Sequence, residues 1–295
     1  MPLSAPLRRI LIIVNPAAGR SRRSRQRLGN IVAALERRGC TVVVRHAGIH
    51  GDAERLARDA EPELDVIVAA GGDGTVNAIV NGMAEKPRDL AVLPFGTANV
   101  LAREIGLPRR SEALAALIAD TPARPVWPGR IGNRLFVTVA GAGFDAEIVA
   151  AVDPRLKRRI GRLAFLWAIL TRLAQYRRAE LSILADGVAY RATAAIVTKG
   201  RLYAGPFVIA PAGNLAEPVL DLLLFRDSGR AAVLRYLCAL PLGRMARLKS
   251  VTCLRIRNAT ISAGEPLPVQ ADGEIVGQLP ATIALAAQPI PLIRP

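Results

Sequence analysis

The sequence predicts an α/β domain followed by an all-β domain, and three observations carry the prediction. Between about residues 8 and 122, short apolar runs rich in β-branched residues alternate with segments of helical periodicity. That alternation is the mark of an open, mainly parallel sheet covered by helices. Beyond Thr121-Pro122-Ala123-Arg124-Pro125, short strand-like runs separated by turn residues take over, which predicts a mostly antiparallel sandwich of sheet on sheet. With 295 residues and 51% hydrophobic content, the chain can bury two cores. The predicted units are residues 1–122 and 123–295.

Taken in order, Ile10–Val14 reads as a buried strand closed by Asn15-Pro16-Ala17-Ala18-Gly19. A helix over about Ser24–Arg38 follows, with Leu28, Ile31, Val32 and Leu35 at helical spacing. Thr41–Arg45 is a second strand, Asp52–Ala60 a second helix, Val66–Ala70 a third strand, and the segment to about Met83 a third helix. Leu90–Pro94 is the fourth strand, and Ser111–Ala119 a helix with Ser111 as its cap. In the second unit the predicted strands begin with Leu135–Ala140, Leu181–Ala185, Ala192–Thr198, Phe207–Ala210 and Val219–Phe225. Val251–Arg257, Thr260–Ser262, Val269–Ala271 and Ala281–Ala286 complete them, and two helical inserts, about 155–177 and 230–246, interrupt them.

Lys and Arg number 40 against 24 Asp and Glu, a formal charge of +16. Such a balance points to an anionic partner: nucleic acid, nucleotide or an acidic membrane surface. Aromatic residues at 4% argue against a surface of stacked bases, so no nucleic-acid partner is expected. Cys40, Cys238 and Cys253 are odd in number and far apart, which excludes a cysteine zinc site and fits reduced cytoplasmic thiols. Met1–Arg9 runs straight into the first strand and shows no signal peptide. The apolar run Leu163–Thr171, bounded by Arg162 and Arg172, is too short to span a bilayer. Its basic approach, Arg155, Lys157, Arg158, Arg159 and Arg162, fits docking on an anionic bilayer or a core helix with a basic entrance. The expectation is a cytoplasmic protein associated peripherally with the inner face of the membrane.

The chemistry gathers in three turns. Asn15–Gly19, Gly71–Thr75 and Gly96–Asn99 each follow a strand and precede a helix. In a parallel sheet all three emerge at the carboxyl edge, where this architecture binds ligands. Glycines let backbone amides approach an anion closely, and the following helix turns its positive end to the same place. Gly71-Gly72-Asp73-Gly74-Thr75 alone is equally a capped strand-to-helix turn, but three small polar turns on one edge favour a nucleotide or phosphate site. Neither Gly-x-Gly-x-x-Gly nor the Walker A spacing is present, which argues against a simple dinucleotide site or a P-loop enzyme. Asp73 repels phosphate, so its fitting partner is a metal ion or a hydroxyl that must lose a proton.

Asn15-Pro16-x-x-Gly19, Gly71-Gly72-Asp73-Gly74-Thr75-x-Asn77 and Pro94-x-Gly96-Thr97-x-Asn99 match a known pattern in order and spacing. They resemble the catalytic region of the lipid-kinase family that contains diacylglycerol, sphingosine and ceramide kinases. The resemblance runs almost end to end, since Ala140–Ala146, Lys199–Gly205 with Ala210–Ala212, and Gln270–Glu274 look like later segments of it. Gly-Gly-Asp-Gly-Thr by itself is shared with NAD kinases and resembles phosphofructokinases. The resemblance implies a nucleotide-binding α/β catalytic domain of phosphofructokinase or NAD-kinase type, a lipid-binding β sandwich, and an active site in the cleft between them. It implies ATP and Mg²⁺ as cofactors, and transfer of the γ-phosphate to a hydroxyl of a lipid such as diacylglycerol or a sphingoid base.

Carried over residue by residue, the resemblance implies that Gly71, Gly72, Asp73, Gly74, Thr75 and Asn77 hold the ATP phosphates. Asn15, Pro16, Gly19, Gly96, Thr97 and Asn99 would close the pocket. Asp73 would position Mg²⁺-ATP, Asp272 would be the general base, and Glu274 would support it or bind metal. Asp145 would face a lipid head group or cap a turn. From the residues alone, Asp272-Gly273 is a strong hairpin signal, and the two roles are compatible.

Three departures from the family pattern stand out. Ala47 occupies the place of a threonine near the nucleotide, and Val100 that of an aspartate in many relatives. Ala216-Glu217-Pro218-Val219-Leu220-Asp221 stands where relatives often carry Asp-Asp-Gly-x-Leu-Asp at a structural Mg²⁺ site, leaving Glu217 and Asp221 as candidate ligands. The departures keep a non-catalytic nucleotide- or lipid-binding module open as an alternative, and the shared glycine loop keeps open an NAD-kinase-like small-molecule kinase.

Overall fold

The computed structural model describes residues 8–15, 21–48, 51–153, 163–174 and 180–295. The chain forms two compact units, the described residues up to Val126 with Gln288–Pro295, and Trp127–Ala287.

The first unit alternates β1 (Arg9–Val14), α1 (Arg22–Arg37), β2 (Thr41–His46), α2 (Asp52–Arg58), β3 (Val66–Gly71), α3 (Asp73–Gly82) and β4 (Asp89–Pro94). It continues through α4 (Val100–Glu104), α5 (Ser111–Asp120) and β5 (Arg124–Val126). Strands β2, β1, β3 and β4 lie in that order and pair in parallel. Every residue of β3, and of β1 from Ile10 on, is buried. Burial on both faces is why these runs are continuously apolar rather than alternating. Helix α1 starts where Ser21 Oγ accepts from the Ser24 amide at 3.0 Å, satisfying one of the orphan donors of its first turn. It lays Ile31 and Leu35, with Leu114 and Ile118 of α5, over Ile10, Ile12, Val66 and Val68. The expected cap at Ser111 is not used; Arg110 holds that position and no side chain bonds the helix end.

The second unit opens with β6 (Gly129–Ile131), β7 (Arg134–Phe136), β8 (Val139–Ala142), α6 (Phe144–Ala151) and α7 (Leu163–Ala174). Next come β9 (Leu181–Ala185), β10 (Val188–Ala192), β11 (Ala194–Thr198), β12 (Leu202–Tyr203), β13 (Phe207–Val208), β14 (Leu220–Phe225) and α8 (Arg230–Ala239). Strands β15 (Val251–Ile256), β16 (Asn258–Ala263), β17 (Pro268–Ala271), β18 (Glu274–Gln278) and β19 (Ala281–Leu285) complete it. Two six-stranded antiparallel sheets result, ordered β10-β9-β16-β19-β6-β7 and β15-β14-β11-β8-β17-β18, beside the short antiparallel pair β12-β13. Their inner faces share a core that includes Phe136, Leu181, Ile183, Leu222, Ile261 and Ile283. Strand β14 is buried at all six positions: Leu220, Leu222 and Leu224 enter that core, while Leu223 and Phe225 pack with Ala232 and Tyr236 of α8.

The last strand, β20 (Ile290–Leu292), corrects the division at residue 122. It returns to the first sheet, parallel to β4 and antiparallel to β5. A three-residue strand containing Pro291 carries no α/β pattern, so the sequence grouped it with the β domain. Among the described residues, no helix is long and apolar enough to cross a membrane.

Candidate active site

Parallel register brings the three glycine-containing turns side by side. Val14 lies opposite Ala70, and Gly71 opposite Pro94, so β1, β3 and β4 end together. The Asn15 amide donates to Ala70 O and the Phe95 amide to Gly71 O, each at 3.0 Å. Asn15 Nδ2 then donates to Thr75 Oγ1 at 3.0 Å, tying the first turn to the second. Glycine is required where these turns touch. A Cβ on Gly71 would sit 2.6 Å from Thr75 Cβ, and one on Gly96 would sit 2.8 Å from Asn99 Oδ1 and closer still to Gly72 Cα. The second and third turns therefore meet backbone to backbone, at Gly72 and Gly96, at the end to which α3 directs its positive pole.

Asp73 and Asn99 hold the third turn in shape. Asn99, in the left-handed region at φ 48°, accepts from the Gly96 amide at 2.9 Å and donates to Gly96 O at 2.7 Å. Asp73 Oδ1 accepts from the Val100 amide at 2.7 Å, so a carboxylate 27 residues back in sequence caps α4. Thr75 and Asn77 are buried, Thr97 is exposed, and Asn77 accepts from Asn81 Nδ2 within α3. Pro16 and Gly19 lie outside the described residues.

In the second unit, Asp272 and Gly273 form the two-residue connection between β17 and β18, with φ of 47° and 83°. Positive φ at both positions is the mirror-image turn that Asp-Gly favours. The Asp272 carboxylate accepts at least four hydrogen bonds: Val137 N at 2.7 Å on Oδ2, and Thr138 N at 2.9 Å, Thr138 Oγ1 at 2.6 Å and Val139 N at 3.0 Å on Oδ1. This explains why the predicted strand Leu135–Ala140 is broken into β7 and β8. Its amides at 137–139 turn to a side chain instead of a neighbouring strand. Glu274 follows the turn and is exposed.

Asp145, in the first turn of α6, is buried. It accepts a short hydrogen bond from the Tyr203 hydroxyl and one of 2.8 Å from Gln270 Nε2. Gln270 Oε1 in turn accepts from the Gly273 amide at 3.0 Å, which links Asp145 to the turn that carries Asp272. Burial pushes the Asp145 carboxyl above its ordinary range, against the two donors, which hold it down. Tyr203 is pushed well above its own by burial and by the adjacent carboxylate. Both groups line an apolar cavity of about 90 Å³ walled by Phe144, Ile148, Ile196, Phe225, Leu237 and Met245, among others. A few polar groups in an apolar wall are the ordinary make-up of a small-molecule site. Tyr203 and Gln270 were missed as site residues. Each lies inside a motif already quoted, but pairing with Asp145 across 58 and 125 residues leaves no local signal.

Glu217 pairs with Arg255 and accepts from Asn214 Nδ2 at 3.0 Å. Asp221 is buried, with Oδ1 3.9 Å from Arg255 Nε. Among the described residues, no group of three or more His, Cys, Asp or Glu is arranged to hold a metal.

Comparison with known proteins sets this geometry beside others. Residues 9–131 match the family described as "Diacylglycerol kinase catalytic domain", and residues 138–294 match the "YegS C-terminal NAD kinase beta sandwich-like domain". The chain is 28% identical to the diacylglycerol kinase of Bacillus subtilis (strain 168) over 295 residues, 98% of this chain and 97% of that protein. It is likewise 28% identical to that of Staphylococcus aureus (strain MRSA252) over 293 residues, covering 98% and 93%. A crystal structure of a diacylglycerol kinase from Bacillus anthracis str. Sterne shares the fold, with a TM-score of 0.81 at 24% identity over 99% of this chain and 98% of that one.

Proposed function

The chain belongs to the family of diacylglycerol kinase catalytic domains joined to a YegS-type β sandwich, and from that premise we propose an ATP- and Mg²⁺-dependent lipid kinase. It would move the γ-phosphate of ATP to a hydroxyl of a lipid such as diacylglycerol or a sphingoid base. The observation that carries the lipid half is the apolar cavity ending on buried Asp145 and half-buried Tyr203, connected through Gln270 to the Asp272 turn. Acyl chains suit the apolar wall, and a buried carboxyl paired with a half-buried phenol suits a polar head group that must shed water to enter.

In this proposal the ATP phosphates lie on the turns at Asn15, Gly71–Thr75 and Gly96–Asn99, where backbone amides and the α3 N-terminus favour anions. Asp73, fixed by the Val100 amide, is the acidic group beside those turns. One carboxylate suits Mg²⁺, an ion that takes most of its ligands from phosphate and water; when bound it neutralises phosphate charge. Asp272, held in place by four donors, orients the acceptor hydroxyl and takes its proton, with Glu274 supporting it. Phosphoryl transfer asks more of positioning and charge neutralisation than of covalent chemistry. The lipid surface would be met by exposed Trp167 and Leu170 of α7 and Leu234 of α8, beside exposed Arg230 and Arg235. Apolar residues flanked by arginines suit peripheral docking on an anionic bilayer. The basic cluster Arg155–Arg162 lies outside the described residues.

Transfer of label from γ-labelled ATP to a panel of lipids in mixed micelles, run beside soluble acceptors including NAD, tests the proposal. A labelled lipid is the expected product. Label on a soluble acceptor alone, or ATP binding without turnover on any acceptor, would overturn it.

A further inference from the structure

Lys199, at the end of β11, is completely buried, a placement that a lysine rarely takes without partners. Its ammonium donates to three backbone carbonyls of one short loop: Asn214 O at 3.3 Å, Glu217 O at 2.6 Å and Val219 O at 2.5 Å. Three convergent acceptors match the three protons of an ammonium. The loop is shaped to aim those oxygens inward. The Ala216 amide closes on Asn214 Oδ1 at 3.0 Å, the Val219 amide on Glu217 O at 2.9 Å, and Leu215 O is taken from outside by the Trp127 amide at 2.9 Å. The Asp221 and Glu217 carboxylates add negative charge around Nζ, with Arg255 opposing.

Carbonyl oxygens flanked by carboxylates are the donor set of a hard cation. Here the centre is taken by a side chain, and the nitrogen–oxygen distances of 2.5–3.3 Å are those of an ammonium. They exceed the roughly 2.0–2.1 Å that Mg²⁺ demands. A divalent ion and a buried ammonium sharing three carbonyls would repel at close range. The residues present do not fit the structural Mg²⁺ that the resemblance implied for Glu217 and Asp221.

We propose that Lys199 is the resident cation of the 214–221 loop, a covalently attached replacement for a divalent ion, and that Glu217 and Asp221 take no metal. The replacement has a structural reach. The segment after Lys199 carries Tyr203 to Asp145, so the ammonium anchors the start of a connection that ends in the apolar cavity. The second unit would then hold its shape without Mg²⁺, and any Mg²⁺ requirement of the protein would lie elsewhere.

Thermal unfolding of the metal-stripped, nucleotide-free protein tests this. Melts are compared in EDTA and in millimolar MgCl₂ or CaCl₂, with NaCl matching the ionic strength. Wild type is expected to melt at the same temperature in all of them. Lys199→Met keeps a straight chain but takes the ammonium from all three carbonyls, leaving Asn214 O and Glu217 O only the Glu217 and Val219 amides, and its midpoint should fall by about 5 °C or more with no recovery in either salt. Lys199→Ala vacates the centre, and its lowered midpoint should rise again in millimolar divalent cation or methylammonium. A wild-type midpoint that EDTA lowers or MgCl₂ raises would overturn the proposal, and that arm decides even where the variants do not fold. Wild-type stability in Lys199→Met, or a Lys199→Ala variant rescued by no cation, would overturn it too and leave Lys199 as a packing residue.

Discussion

Replacing Asp272 by asparagine separates what its carboxylate holds together from what it does chemically. Asparagine tolerates the left-handed φ of 47° that most side chains resist, so the turn survives and only the carboxylate is lost. The amide oxygen can still accept from Thr138 N, Thr138 Oγ1 and Val139 N, but as a neutral acceptor. Hydrogen bonds to charged groups contribute about 1 kcal/mol more than neutral ones, or about 3 kcal/mol over three donors. The amide nitrogen meets the Val137 amide where a 2.7 Å bond existed, and the stranded donor costs about 1–3 kcal/mol more. The expected loss is about 4–6 kcal/mol, a fall of about 10–20 °C in the midpoint of the second unit. Differential scanning calorimetry, resolved into its component transitions because two units need not melt together, reads the shift. ATP binding should persist, while lipid phosphorylation well below the variant's midpoint should fall at least about a hundredfold, the scale of a general-base contribution. A midpoint within a degree or two of wild type would refute the four-donor account. Undiminished turnover would refute the proposed base.

Further expectations concern both units. Gly96→Ala places a Cβ against Gly72 backbone that has no side chain to move, so it should cost about 1–3 kcal/mol and weaken ATP binding; a wild-type binding isotherm would argue against close-packed turns. Tyr203→Phe removes one of the two donors to the buried Asp145 carboxyl and leaves Gln270; it should destabilise the second unit by about 1–3 kcal/mol while raising KM for lipid more than for ATP. Equal effects on both would count against Asp145 as a head-group contact. Because burial raises the Asp145 carboxyl above its ordinary 3.8, the folded chain keeps this proton where the unfolded chain has lost it. Its contribution is therefore present in full below 3.8 and lost as pH rises through the higher folded value. With Tyr203 and Gln270 facing it, the stability of wild type relative to Asp145→Asn should shrink from acid toward neutral pH, and urea midpoints across that range read the slope. Vesicle binding, if peripheral, should weaken as NaCl rises; binding to anionic vesicles that ignores salt would remove the basic residues from the docking account.

Much of the first unit was legible because its signals are local. Apolar runs such as Val66–Ala70, followed at once by glycines, fix both a buried strand and the turn at its end. What sequence reading missed is non-local. Asn99 stands at the N-cap of helix α4, but its side chain is spent on Gly96 and the cap comes from Asp73, a partner that no local pattern shows. The break between β7 and β8 depends on Asp272, more than 130 residues away. Lys199 sits in a strand-like stretch where nothing nearby predicts burial of a charge, because its carbonyl partners carry no residue identity. Tyr203 and Gln270 were visible as letters in motifs, but their convergence on Asp145 is a property of sheet register, Gln270 lying opposite Gly141.

The placement of β20 bears on the order in which the molecule can be built. Ile290–Leu292 lies between β4 and β5, the Ile293 amide bonds Leu90 O at 2.8 Å, and Ile293 itself belongs to the first core. During synthesis, residues up to Val126 leave the ribosome with a gap in their sheet, and the whole sandwich is made before the strand that fills it. The unit that begins first is thus the one completed last. A fragment ending at Val126 would expose the flank of β4 and leave β5 without its sheet partner. Transplanting the sandwich between relatives would require exchanging residues 127–287 as an insert, not cutting the chain once.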